Sequence, residues 1–358
     1  LGIPLTLTLT LTSMKDPKLT DKFHRTIDYL RISVTDRCNL RCIYCMPSEG
    51  VKHIEHRDIL SYEEIARIVS VAAGLGVRKV RITGGEPLAR KHITRLIASI
   101  REIPRIDDLS LTTNGVLLER YAGELAGAGL HRVNVSLDSL RPDRYREITR
   151  GGDISLVMKG IEAAEKAGLM PVKINMVPIR GFNGDEIEEF AGITRDTPYH
   201  VRFIEFMPIG GRELWSPEKY IATDEIKATV ERIGPLFPVR VRRTGPARYF
   251  RFADAPGVIG FISALTHHFC EDCNRLRITS DGKLRPCLFS ETEIDLKPAL
   301  RGTTAPSDKE IERLLRLAIE IKPERHMLDE SRELLPDGST LSLTSLPGPL
   351  KPMSRIGG

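Results

Sequence analysis

From Arg31 to Met207 the chain repeats one pattern: a short apolar, β-branched run, then apolar positions every three or four residues, then often a glycine. The runs Arg31–Thr35, Lys79–Thr83, Asp108–Thr113, Arg132–Asp138, Val172–Val177 and His200–Met207 predict strands. Between them, Tyr62–Ala73, His92–Ile103, Glu119–Ala128, Ile154–Ala167 and Glu186–Thr194 predict amphipathic helices. Gly76, Gly129 and Gly168 stand where a helix C-terminus needs a left-handed residue. Six βα steps imply a parallel sheet with helices outside it. Eight would close a barrel; six fit either a partial barrel or a doubly wound sheet.

Polar residues alternate within these strands: Lys79, Arg81 and Thr83; Asn134, Ser136 and Asp138; Lys173 and Asn175. Successive side chains point to opposite faces, so one face packs on helices and the other is polar. In a βα repeat a polar inner face implies a lumen that holds something. Ligands of such sheets sit at the carboxyl ends of strands. Cys38, Gly84–Pro87, Thr112–Asn114, Ser136 and Met207 fall there.

After Met207 the pattern changes. Gly210-Gly211 and Trp215–Pro217 read as a linker, and Thr223–Ile233 as a helix. The short runs Val239–Arg242, Arg248–Phe252, Val258–Ile262 and Leu276–Thr279 read as strands, with Ser280–Lys283 a hairpin turn and Lys309–Ile321 a further helix. The expected organisation is a disordered tail over 1–24, a βα unit over 25–208, an α+β region over 209–322, and a tail over 323–358 ending in Gly-Gly. Leu1–Thr12 alternates Leu and Thr without a basic segment or a continuous apolar run, so it does not read as a signal peptide.

Charge and composition narrow the class. A net charge of +5 does not imply a nucleic-acid surface but permits a local basic pocket. No apolar run is long enough to span a bilayer. The six cysteines form two triplets, Cys38, Cys42, Cys45 and Cys270, Cys273, Cys287, with none left over. That arithmetic disfavours disulfides and points to two metal sites in a reducing compartment.

In Cys38–Cys45 three cysteines are spaced x3 and x2, with Tyr44 before the last. Thiolates at this density suit a soft metal or an iron–sulfur cluster. No His, Asp or Glu lies between Cys38 and Cys45 to complete a zinc site there. Three ligands on a cubane of four irons leave one iron open. In the second triplet either a cubane or zinc fits, since His267 or His268 offers a fourth ligand. Arg275 and Arg277 lie between Cys273 and Cys287 on one strand face, placed to clamp phosphate. Gly84-Gly85-Glu86-Pro87 follows a strand; its glycines permit close backbone approach to a ligand, and its carboxylate can accept from an ammonium. Lys79, Arg81, Lys173 and Arg202 are basic residues in strands. Buried cations need a partner, so an anion of several charges such as a nucleoside triphosphate is expected. The chain has no P-loop sequence.

The Cys-x3-Cys-x2-Cys run resembles the signature of radical S-adenosylmethionine (SAM) enzymes. Together with Leu30–Pro47, Arg81–Leu88, Leu111–Gly115, Asn134–Asp138, the second cysteine segment and the terminal Gly-Gly, it resembles the bacterial GTP 3′,8-cyclases of molybdenum cofactor biosynthesis. The resemblance implies a six-stranded partial barrel with a C-terminal α+β region. It implies two 4Fe-4S clusters, the first (Cys38, Cys42, Cys45) binding SAM and the second (Cys270, Cys273, Cys287) contacting guanine. Reduction of the first cluster would cleave SAM to a 5′-deoxyadenosyl radical that takes the 3′ hydrogen of GTP, after which the carbon radical closes on C8. By resemblance, Tyr44, Gly85, Ser136 and Met207 line SAM. Arg31, Lys79, Arg81, Thr112, Lys173, Arg202, Arg275, Leu276 and Arg277 hold GTP. Implied partners are GTP, a flavodoxin- or ferredoxin-type electron donor, and cyclic pyranopterin monophosphate synthase as the next enzyme. A cytoplasmic protein without nucleic acid or membrane partner is expected, and a homodimer is allowed. Two other readings compete: a radical SAM peptide-maturing enzyme, which needs no triphosphate clamp, and a two-cluster electron carrier, which needs no Gly-Gly-Glu-Pro.

Overall fold

The computed structural model describes residues 18–209, 215–241, 245–302 and 306–326. Six strands come in sequence order: β1 (Tyr29–Ser33), β2 (Lys79–Thr83), β3 (Asp108–Thr113), β4 (Arg132–Ser136), β5 (Lys173–Met176) and β6 (His200–Ile204). Each is parallel to the next. The helices between them are α1 (Tyr62–Gly74), α2 (Ile93–Arg101), α3 (Leu118–Gly127), α4 (Pro142–Thr149), α5 (Ile154–Lys166) and α6 (Ile187–Asp196). Local sequence explains their form. In α1, Ser61 and Glu64 make a reciprocal capping box, and Ile65, Ile68, Val69, Ala72 and Ala73 form the buried stripe. Gly76, Gly129 and Gly168 all adopt positive φ, as their positions after helices predict.

The C-terminal region joins the sheet of the first region. It comprises α7 (Thr223–Glu231), β7 (Phe237–Pro238), β8 (Arg248–Arg251), β9 (Val258–Ile262), β10 (Arg275–Ile278), β11 (Lys283–Arg285), β12 (Ile294–Asp295), α8 (Lys297–Arg301) and α9 (Asp308–Glu320). One sheet runs β12-β11-β10-β1-β2-β3-β4-β5-β6-β9-β8-β7. β10 is parallel to β1 and β9 is parallel to β6, so the C-terminal segment extends both edges of the barrel sheet. The physical reason is edge pairing: an open parallel sheet leaves unpaired backbone groups on β1 and β6. The predicted turn at Ser280–Lys283 does join antiparallel β10 and β11.

Other differences are local. α4 was not predicted, because its eight residues carry few apolar positions, of which Tyr145 and Ile148 are buried. The predicted strand Val239–Arg242 gives way to the shorter Phe237–Pro238 just before it, with one further bond from Val239 N to Tyr249 O; Arg242 lies outside the described residues. Residues 18–24 do not behave as a disordered tail: Leu19 and Asp21 are buried, and Thr20 bridges Thr26. They are held because Asp21 pairs with buried Arg25 at 2.6 Å. At the other end Pro323 and Glu324 accept bonds from Arg25. Gly210-Gly211 and the terminal Gly-Gly lie outside the described residues. No helix among the described residues is long and apolar enough to cross a membrane.

Candidate active site

The first cysteine loop leaves β1 and is built onto its neighbours by backbone bonds. Val34 N donates to Thr83 O, Thr35 O accepts from Gly85 N at 2.7 Å, and Arg37 O accepts from Glu86 N at 2.8 Å. The loop's far side is bonded to α4: Arg41 N to Thr149 O and Ile43 N to Ile148 O. Arg150, just past α4, donates to the carbonyls of both Arg41 and Met46. The unpredicted helix is therefore part of the site's scaffold.

The glycine pair borders the cavity and also meets the protein's own backbone closely. A Cβ on Gly85 would lie 2.2 Å from Arg37 O and one on Gly84 2.9 Å from Thr35 O. The backbone approached so closely is the cysteine loop itself. Glu86 is likewise occupied, accepting from Leu88 N, Thr113 Oγ1 and Asn114 N at 2.7–2.9 Å. It ties two strand ends together and also borders the cavity, and three bonds leave lone pairs on its oxygens for a further donor. Gly85→Ala is expected to lower stability by about 1–3 kcal/mol and to deplete iron at the first triplet. Gly123→Ala, in α3 with nothing within 4 Å of the added methyl, is expected to gain up to about 1 kcal/mol. Thermal melts with iron analysis read both; an iron-replete, stable Gly85→Ala would show that the loop tolerates displacement.

All six cysteines, free thiols, border one cavity. The two ends of that cavity have opposite electrostatics. At the first triplet, burial pushes Cys38 up to about 11 and raises Cys42, which Cys45, Asp138 and Cys38 raise further. Asp138 accepts from Val177 N and from the Tyr44 hydroxyl, and burial raises it to about 6. Burial likewise raises Glu86 to about 7. At the second triplet burial also pushes Cys273 up, but Arg275 and Lys322 outweigh it and bring the thiol to about 6.

The basic end is a rung across the sheet. Register places Arg285, Arg277, Arg31, Arg81, Ser110 and Arg132 side by side on successive strands. The outermost arginines are neutralised by carboxylates: Arg285 by Glu293 and Arg132 by Asp108. Burial lowers Arg31, and Arg277 lowers it further by repulsion; guanidinium groups nonetheless stay charged at neutral pH. Arg202 donates to Asn134 Oδ1 at 2.8 Å on the same face.

Arg31, Arg81, Thr112, Arg202, Arg275 and Arg277 line the cavity, as do Tyr44, Gly85, Ser136 and Met207. Lys79 and Lys173 share the inner face but stand outside the lining. Lys79 is paired with Asp28 at 2.9 Å. Lys173 is 3% exposed, over the Tyr249 ring, and burial followed by Arg202 repulsion drives it down to about 6. Leu276, between Arg275 and Arg277, takes the opposite face with its side chain buried in the hydrophobic core, so any contact it makes with GTP is through its backbone. Asp138, Arg150, Arg25 and Lys322 are the site residues that sequence reading missed; only Asp138 carried a signal, as the polar residue ending an alternating strand.

The donor sets fit iron–sulfur clusters. Within the first set the thiols lie near enough to raise one another, and Lys322 and Arg277 each interact with both Cys273 and Cys287. Among the described residues no three His, Cys, Asp or Glu side chains converge on a single ion; thiolates on separate corners of a cluster need not do so. His267, once a candidate zinc ligand, is turned to Asp224 at 2.9 Å.

This sheet and cysteine loop are of the radical SAM class. The Radical SAM superfamily model matches residues 32–192, and the Molybdenum Cofactor Synthesis C model matches residues 199–328. A Thermodesulfovibrio yellowstonii GTP 3′,8-cyclase is 50% identical over 94% of this chain and 99% of its own. One from Pelotomaculum thermopropionicum is 52% identical over 87% of this chain and 95% of its own. The chain belongs to the GTP 3′,8-cyclase family. Among solved structures, Streptococcus suis SuiB is similar with a TM-score of 0.56 at 18% identity, covering 85% of this chain and 77% of that one. That likeness concerns the fold.

Proposed function

We propose that this chain converts GTP to 3′,8-cyclo-7,8-dihydro-GTP, the first step of molybdenum cofactor biosynthesis. The observation that carries the reading is the bipolar cavity: acidic groups beside one cysteine triplet and a rung of arginines beside the other. A sulfonium and ammonium suit the first end, and a triphosphate the second. A 4Fe-4S cluster held by Cys38, Cys42 and Cys45 would supply, with SAM, the radical chemistry that moves the 3′ hydrogen of GTP and joins C3′ to C8, with one further electron and one proton completing the dihydro product.

The chain's own residues hold and orient. Cys38, Cys42 and Cys45 hold the first cluster. Tyr44, Gly85, Ser136 and Met207 line SAM, with Asp138 fixing Tyr44. Cys270, Cys273 and Cys287 would hold the second cluster, at the end of the cavity proposed to take guanine. Arg31, Arg81, Arg202, Arg275 and Arg277 clamp the phosphates, Thr112 borders them, and Lys79 and Lys173 support them from the same face. A flavodoxin- or ferredoxin-type protein supplies the electron, and cyclic pyranopterin monophosphate synthase takes the product. Six free thiols accord with a reducing cytoplasm.

The test is an anaerobic assay of 5′-deoxyadenosine with and without GTP, with the product followed by mass. GTP-dependent formation of a cyclised product of unchanged mass is expected. Cleavage that GTP neither stimulates nor couples to a cyclised product would favour peptide maturation, and no cleavage at all an electron carrier.

A further inference from the structure

Lys322 stands two residues beyond the end of α9, and its side chain is turned into the protein, 1% exposed. α9 fixes its place: Ile311, Leu314, Leu315, Ala318 and Ile319 are buried, and Lys322 N donates to Ile319 O. The ammonium reaches three acceptors, Cys273 Sγ at 3.6 Å, Arg275 O at 3.0 Å and Pro286 O at 2.6 Å. An ammonium has three donors, so this set uses them all. The acceptors also have a pattern. One is a cluster thiol, one belongs to the residue two after that thiol, and one to the residue just before Cys287. A single side chain thus joins the two distant halves of the second cysteine set.

None of these three partners is a carboxylate. Burying an ammonium without a counter-charge is costly, and the nearest group able to carry negative charge is the thiolate set itself. Arg25 provides the contrast. It too reaches this loop, donating to Cys270 O at 2.8 Å, but it brings its own carboxylate, Asp21. Arg25 can therefore fasten the loop without altering the cluster's charge balance, whereas Lys322 does both.

We infer that Lys322 is a positioning residue of the second cluster, spacing Cys273 from Cys287 and raising the cluster's reduction potential through its charge. Hydrogen bonds to sulfur and net charge are among the determinants of iron–sulfur potentials. A fixed cation favours the more negative, reduced form. The inference rests on the assignment of a cluster to Cys270, Cys273 and Cys287.

The experiment is a redox titration of the full anaerobic holoenzyme monitored by electron paramagnetic resonance, with iron and sulfide analysis. The second cluster is identified as the signal that SAM leaves unchanged and GTP alters. Lys322→Gln is expected to disfavour its reduction at least about tenfold, or about 59 mV for one electron. Alternatively it loses that cluster alone, with iron falling by about half. Lys322→Arg keeps the charge and is expected to retain both iron and potential. The SAM-sensitive signal should not move in either variant. An unchanged potential with full iron in Lys322→Gln overturns the inference. So does an equal shift in Lys322→Arg, which would mean charge is not the cause, or loss of both clusters, which would mean a general role in folding. Wild-type protein with one cluster and one zinc would instead remove the cluster assignment on which the inference stands.

Discussion

Serine at Cys38, Cys42 or Cys45 is expected to abolish reductive cleavage of SAM, with 5′-deoxyadenosine falling to the no-enzyme level. These thiols are the proposed hold on the electron source, and a serine hydroxyl is a poor ligand for it. Burial raises the Cys42 and Cys45 thiols, and metal binding would displace their protons. Serine at Cys270, Cys273 or Cys287 is expected to act differently. That triplet lies at the basic end of the cavity, so cleavage should continue at a reduced, uncoupled rate while cyclised product disappears. Measuring 5′-deoxyadenosine and product in the same reactions separates the sets. Normal product from a second-set variant would remove the guanine-binding role.

Alanine at Arg275 or Arg277 is expected to weaken GTP roughly ten- to a hundredfold. A charge-assisted contact is worth about 1.5–3 kcal/mol, and each 1.4 kcal/mol is about tenfold in affinity. Guanosine should lose less, and SAM hardly at all; equal losses of all three in titration calorimetry would mean a damaged fold. The same surface predicts a pH dependence. Lys173 falls to about 6 in the free protein because of burial first and Arg202 next. A bound polyanion raises that value, so between about pH 6 and the bound value the complex holds more protons than the free protein. GTP binding should therefore take up protons, and affinity should decline as pH rises from about 7.5 to 8.5, by at most tenfold per unit for one proton. Below about pH 6 Lys173 is already charged and its contribution levels off. Calorimetry in buffers of different ionisation heat measures the uptake, and Lys173→Met should remove it.

The sequence by itself determined the βα repeat, because a strand's period of two and a helix's of three to four are local properties written residue by residue. It likewise determined both cysteine triplets and the polar inner face, since spacing and alternation need no partner to be read. It placed Arg81 on that face with Lys79 and Lys173 by alternation, while Arg31 and Arg277 joined Arg81 only through the family resemblance. Only the tertiary structure decided that the three arginines form one rung, because register is a relation between strands distant in sequence. Close approach decided the task of Gly84 and Gly85, whose crowding comes from the backbone of residues 35–37. Burial decided that the Leu276 side chain turns into the core and that Lys322 turns inward. For Lys322 no local pattern signals the outcome: a lysine after an amphipathic helix is ordinarily a solvated charge, and its three acceptors come from β10 and from the segments that carry Cys273 and Cys287.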